Sequence, residues 1–263
     1  MSNNASQPDP SAMGRHRIVN KPGELENYLI TGTRNSYDCN GVTFKCEMDL
    51  SERTFGNAYF QNAVFEKRVS FKNSTFSGNA EFIATRFSAD VEFWRSDFNG
   101  YIKFWKAEFL ARANFIEARF SHNADFLETQ FSGDVKFWKA LFSENADFIG
   151  TLFSGNASFL LAQFSGDVNF TEARFSGIAN FSGARLSGDT NSRFLGIINF
   201  RGAQFLDDAE FWKTRFLGNA NFLGATFSGI AEFSEATFSG ITDFSDSTFY
   251  SADFSNTAFD PNT

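Results

Sequence analysis

The sequence predicts an all-β solenoid, a single repeat domain with a core made almost entirely of phenylalanine. Three observations predict it. Phe supplies 38 of the 263 residues, against 4 Pro and 3 Met. From Phe60 onward the aromatic positions run Phe60, Phe65, Phe71, Phe76, Phe82, Phe87, Phe93, Phe98 and so on to Phe181, with gaps alternating five and six. Two residues before each Phe stands a small or β-branched side chain, as at Ala80, Thr85, Val91, Ser96, Ile102, Ala107, Ala113, Ala118, Ala124 and Thr129.

Fixed-period self-similarity is the signature of a repeat architecture, and the period here is eleven. Eleven residues also make three turns of a helix at about 3.67 per turn. That alternative fails on direction. At about 100° per residue, positions i−2 and i lie on opposite sides of a helix, whereas on an extended strand they share a face. The recurring Ser-Gly pairs (Ser77-Gly78, Ser132-Gly133, Ser154-Gly155) weaken a helix and suit corners. Strands this short cannot bury a Phe alone, so each must stack on its equivalent one coil later.

The units Ala113-Asn114-Phe115, Ala124-Asp125-Phe126, Ala146-Asp147-Phe148 and Ala220-Asn221-Phe222 resemble those of the pentapeptide-repeat proteins. The resemblance covers residues 39–259 and implies a right-handed quadrilateral β-helix with four units per coil. Each coil then holds 22 residues, giving about ten coils and a rod about 50 Å long. The departure from the family pattern is an extra residue in alternate units (Asn79, Asp90, Asn123, Asp134, Asn145, Asn156, Asp167), expected to widen two corners. Stacked Asn there are expected to form amide ladders.

Taken along the chain, residues 1–17 read as a disordered tail and residues 18–38 as an N-terminal capping segment, with Pro22 ahead of Leu25, Tyr28 and Leu29. The repeats occupy 39–259, with plain five-residue spacing at both ends, and 260–263 form a tail. One break interrupts them: Leu186 replaces Phe, and Phe194 follows eight residues later. This spacing predicts three missing residues and a coil of about 19, either a tolerated deletion or a notch that shapes a binding surface. An exposed solenoid end, blunted by Asp260 and Pro261, makes a homodimer through that end an expectation.

Composition narrows the function. A net charge of −8 argues against direct nucleic-acid binding. No apolar run is long enough for a membrane span, and no secretory signal is legible, so a cytoplasmic protein is expected. Cys39 and Cys46 are too few for a disulfide framework and read as packing residues. His16 lies in the tail beside Arg15 and Arg17 and His122 takes a Gly position in a corner, so neither a shared metal site nor a nucleophile and base is expected. A Phe-filled rod offers no pocket for catalysis, so no enzyme activity and no cofactor is predicted.

The unusual outward residues follow alternate Phe. At steps of 22 one column reads Ile83, Trp105, Leu127, Ile149, then Thr171; the other reads Trp94, Ile116, Trp138, Leu160, then Ser182. Strand alternation is expected to turn them outward on two opposite faces, with Trp212 and Leu223 resuming the pattern past the break. Such columns either stabilise the stack or mark an interaction site for a protein partner. The outward acidic residues alternate with basic and neutral ones and read as a solvated face. The family resemblance implies an alternative function, because some members mimic duplex DNA and protect type II topoisomerases from inhibitors. Those relatives carry a C-terminal dimerisation helix with no counterpart after Phe259.

Overall fold

Two-residue strands recur at every unit: Arg86–Phe87, Val91–Glu92, Asp97–Phe98 and Ile102–Lys103 make one full coil. Each pairs in parallel with its equivalent 22 residues on, as Arg86 with Glu108, Val91 with Ala113, Asp97 with Arg119 and Ile102 with Ala124. The chain therefore builds a four-sided β-solenoid. The structure, a computed structural model, describes residues 17–186 and 196–260. We number the faces in chain order by their strands Arg86–Phe87 (face 1), Val91–Glu92 (face 2), Asp97–Phe98 (face 3) and Ile102–Lys103 (face 4). Faces 3 and 4 each carry ten rungs.

The core is a set of parallel ring columns. On face 1, Phe65, Phe87, Phe109 and Phe131 stack at centroid distances of 5.1, 4.8 and 4.7 Å. Between columns the rings meet edge to face, as Phe93 and Phe104 do at 5.7 Å. Offset stacking and edge contacts are the arrangements that aromatic quadrupoles favour. The inward i−2 positions are buried too, and where they bear hydroxyls these are satisfied. Thr85, Ser96, Thr129 and Thr151 donate to the carbonyls of Phe60, Phe71, Phe104 and Phe126 at 2.6–2.8 Å. No buried polar side chain among the described residues lacks a partner.

The ladder starts ahead of residue 39. Arg17–Val19 pairs with Val42–Phe44 on face 1, and Tyr37–Asp38 pairs with Ala58–Tyr59 on face 4. Between them Pro22–Tyr28 forms a 3-10 helix that buries Leu25. Glu26 fixes it to the first coils, accepting from the Tyr37 hydroxyl at 3.0 Å and from Arg53 Nη1 at 2.8 Å. The coils near both ends are one residue shorter: Thr54 pairs with Thr75 and Thr237 with Ala258, a spacing of 21.

The break is an insertion, which corrects the predicted deletion. Val168 pairs with Ile198, Arg174 with Gln204, Ala179 with Ala209 and Arg185 with Arg215, each 30 residues apart instead of 22. One coil is thus eight residues longer, and the ring after Phe170 in its column is Phe200, at 5.0 Å. Leu186 is a fully buried core residue, lying between Phe164 and Phe216 on face 3. Residues 1–16, Gly188–Ser192 with Phe194, and 261–263, which figure in the tail and break expectations, lie outside the described residues. Among the described residues no helix is long and apolar enough to cross a membrane.

Candidate interaction surface

The two narrow corners, between faces 2 and 3 and between faces 4 and 1, are tight turns. In Phe93-Trp94-Arg95-Ser96 the Ser96 N–H donates to the Phe93 carbonyl at 3.1 Å, and Arg95 takes φ = 54°. The same left-handed position is held by Ala84 (51°), Lys106 (55°), Glu117 (56°), Lys139 (55°) and Leu161 (57°). Non-glycine residues tolerate it because the turn is held from both sides. The Arg95 N–H donates to the Ile116 carbonyl one coil later at 2.9 Å. The residue before Phe caps the same turn: Asn114, Asp125 and Asp147 each accept through Oδ1 from the N–H two residues on, at 3.0, 2.8 and 2.9 Å. The Asp or Asn of the repeat is therefore a turn cap. For Asp147, burial is the main influence and raises the carboxyl above the ordinary aspartate range, aided by nearby Asp125.

All nine predicted ridge residues lie at the first position of such turns or in the same columns, so the structure corrects their local setting. Trp94, Ile116, Trp138, Leu160 and Trp212 line the corner between faces 2 and 3; Ile83, Trp105, Leu127 and Ile149 line the corner between faces 4 and 1. They project from corners because turn geometry, not strand alternation, aims them. Trp105, Trp138 and Trp212 are 38%, 40% and 43% exposed, while Trp94 and the aliphatic members are half-buried. Spacing alone missed Leu161, which is 42% exposed in the turn position after Leu160 and extends the apolar patch.

Each Trp carries a cation on its ring. Lys72 Nζ and Arg95 Cζ lie 4.2 and 4.7 Å from the Trp94 centroid, Lys106 lies 5.1 Å from Trp105, Lys139 5.4 Å from Trp138 and Lys213 4.2 Å from Trp212. Several of these cations also reach a carboxylate one coil on, as Arg95 to Glu117 at 2.7 Å and Lys106 to Glu128 at 3.5 Å. The ridges are thus aromatic and aliphatic steps rimmed by paired charge.

The wide corners are built differently. Their extra Asx residues do not stack amide on amide as expected. Instead Oδ1 accepts from the backbone N–H of the equivalent residue one coil later: Asn57 from Asn79, Asn145 from Asp167, Asp134 from Asn156 and Asn156 from Ile178, at 2.9–3.0 Å. Glycine serves close approach there. A Cβ on Gly133 or Gly155 would sit 2.6 Å from backbone atoms of the preceding coil.

Cys39 is buried, and desolvation pushes its thiol up to about 12, the behaviour of a packing residue. Cys46 is half-buried, its Sγ 3.5 Å from Met48 Sδ. Among the described residues no group of His, Cys, Asp and Glu is placed to hold a metal ion.

The family model described as pentapeptide repeats (9 copies) matches residues 50–97, 60–108, 104–152, 148–191, 190–226 and 222–263. Among solved structures the chain is similar to HetL, a pentapeptide repeat protein involved in heterocyst differentiation regulation from the cyanobacterium Nostoc sp. strain PCC 7120. Identity is 15%, the match covers 90% of this chain and 97% of that one, and the TM-score is 0.24. No curated protein matches the sequence.

Proposed function

The chain belongs to the pentapeptide-repeat family, and we propose that it works as a non-enzymatic interaction module that presents its narrow-corner ridges to a protein partner. The observation that carries this reading is the placement of Trp94, Ile116, Trp138 and Leu160 at turn positions that the fold does not require to be apolar. Equivalent positions hold Lys72, Ser182 and Ser234 in other coils of the same column. Large aromatic side chains held rigidly and rimmed by charge are the composition of interface anchors.

The alternative reading, a rod that stands in for duplex DNA on a type II topoisomerase, needs an uninterrupted negative surface. Inter-coil ion pairs argue for the protein partner instead, since Glu81, Asp90, Asp97, Glu108, Glu117 and Glu128 each face a Lys or Arg of an adjacent coil. A supercoiling assay with gyrase, with and without a quinolone, is expected to show no effect of the protein. Capture from source cells with the wild-type chain and with Trp94→Ser/Trp138→Ser tests the main reading. Proteins retained by the first and lost by the second support it, with a second copy of this chain among the identities the experiment distinguishes. Equal retention refutes it.

A further inference from the structure

The charges of this chain are unevenly distributed along the rod. Residues 216–263 hold Glu232, Glu235, Asp243, Asp246, Asp253 and Asp260 and no Lys or Arg, so they carry six of the eight net negative charges. Glu235 meets Lys213 at 3.3 Å. On face 2 the acidic positions come in consecutive rungs, Glu210 beside Glu232 and Glu232 beside Asp253. Their oxygens are oriented by neutral donors. Glu210 accepts from the Asn180 amide, Glu232 from the Ser234 N–H at 2.9 Å and Asp253 from the Ser255 N–H at 2.7 Å. Among the described residues none of the three has an ion pair, unlike Glu92 on the same face, which faces Arg68 at 3.5 Å.

The wide corner beside these carboxylates carries exposed apolar side chains among Asp207, Asp208, Ser228 and Ser251. Leu206, Ile230 and Tyr250 are 36%, 48% and 81% exposed. In the preceding coils the Leu206 position is held by Ser176, Ser154 and Ser132, and the Ile230 position by Asp208, Ile178, Asn156 and Asp134. The corner also changes shape, since Thr226–Glu232 and Thr248–Asp253 run as continuous strands across it, joining faces 1 and 2 into one surface. Face 1 contributes the neutral Gln204, Thr226 and Thr248 to this flank. The result is a sheet flank with exposed apolar side chains along one edge and, among the described residues, no ion pair for the carboxylates of Glu210, Glu232 and Asp253.

We propose that this flank is a docking surface for a cationic polypeptide segment, with Lys or Arg against Glu210, Glu232 and Asp253 and an apolar side chain against Leu206, Ile230 and Tyr250. Charge complementarity selects that occupant. A nucleic acid, an anionic lipid surface or the same flank of a second copy is repelled by the same carboxylates, and a purely apolar partner leaves them desolvated without a counter-charge. Burial, with Asp208 and Glu232 nearby, raises the Glu210 carboxyl above its ordinary range, as expected where like charges gather without a cation. The surface lies several coils away from Trp94 and Trp138, so either assignment can fail alone.

The test uses the full chain and three labelled peptides of equal length, alternating Lys with Leu, Lys with Ser, and Glu with Leu, with binding read by fluorescence anisotropy. The Lys–Leu peptide is expected to bind tightest, the Lys–Ser peptide more weakly and the Glu–Leu peptide not at all. Glu210→Gln/Glu232→Gln/Asp253→Asn is expected to weaken Lys–Leu binding at least about tenfold, and Leu206→Ser/Ile230→Ser to weaken it as well. The charge-matched control Asp97→Asn/Glu117→Gln/Glu128→Gln, and Trp94→Ser/Trp138→Ser, are expected to leave it unchanged. Circular dichroism checks that each variant folds. Equal binding by the Glu–Leu peptide, an effect of the charge-matched control as large as that of the flank variant, or self-association lost with the flank residues would overturn the proposal.

Discussion

The narrow and wide corners solve the same problem, turning a two-residue strand through a right angle, by opposite means. At a narrow corner one residue takes a left-handed conformation, and its N–H is held by the next coil. The side chains at both turn positions point away from the rod and vary freely: Trp94 with Arg95, Ile116 with Glu117, Leu160 with Leu161. At a wide corner the Gly lies against the backbone of the coil before, and the Asx side chain supplies the acceptor that the longer turn lacks. Most of the wide corner is committed to structure, and the narrow corner is available for recognition. Ile178, Ile230 and Ile241 depart from this division, standing at Asx positions on the wide corners.

Glycine substitutions break the comparison most sharply. Gly155→Ala puts a methyl 2.6 Å from Gly133 C and is expected to cost ~2–3 kcal/mol, read as a lowered urea midpoint. Gly150→Ala at a narrow corner has φ = 62° but its nearest neighbour, Glu128 Cγ, is 3.7 Å away. It is expected to cost only ~1 kcal/mol, because Ala84 already occupies an equivalent position. A larger loss from Gly150→Ala than from Gly155→Ala would invert the assignment of the two corners. Thr129→Val removes a buried hydroxyl from the Phe104 carbonyl, which keeps the Ala107 N–H at 2.8 Å, and is expected to cost ~0.5–1 kcal/mol.

Asp147→Asn probes the turn cap with the smallest effect. Because folding raises this carboxyl, the fold favours its protonated form, and that contribution to stability is lost as pH rises through the folded-state pKa. Asn keeps the Oδ1 acceptor for Ile149 and carries no charge. The variant is therefore expected to melt ~1–2 °C higher at neutral pH, with the gain disappearing in acid as the wild-type carboxyl protonates. A lower melting temperature at neutral pH would mean that the charge itself strengthens the cap.

The solenoid was legible because a Phe every five or six residues with a small residue at i−2 is compatible with stacked strands and not with a helix. The columns of Trp94 and Trp105 were legible for the same reason, since a step of 22 finds neighbours whatever the local conformation. Their position in turns was not, because residues that follow a strand point outward under either reading. The insertion was missed because Phe194 stands six residues before Phe200 and looks like one more unit; only the 30-residue register identifies the unit that stacks. The caps made by Asn114 and Asp125 were hidden in a motif that reads as solvated surface. The concentration of acidic residues without Lys or Arg after Arg215 was present in the sequence, but a whole-chain net charge averages it away.

The most direct test of the division between structural and available corners is a paired measurement on Trp94→Ser/Trp138→Ser. Urea unfolding and partner capture are performed on the same preparation. The expected result is a midpoint close to wild type, with the partner lost. A strongly lowered midpoint, or an unchanged partner, would show that the tryptophans belong to the stack and that the narrow corners are not the recognition surface.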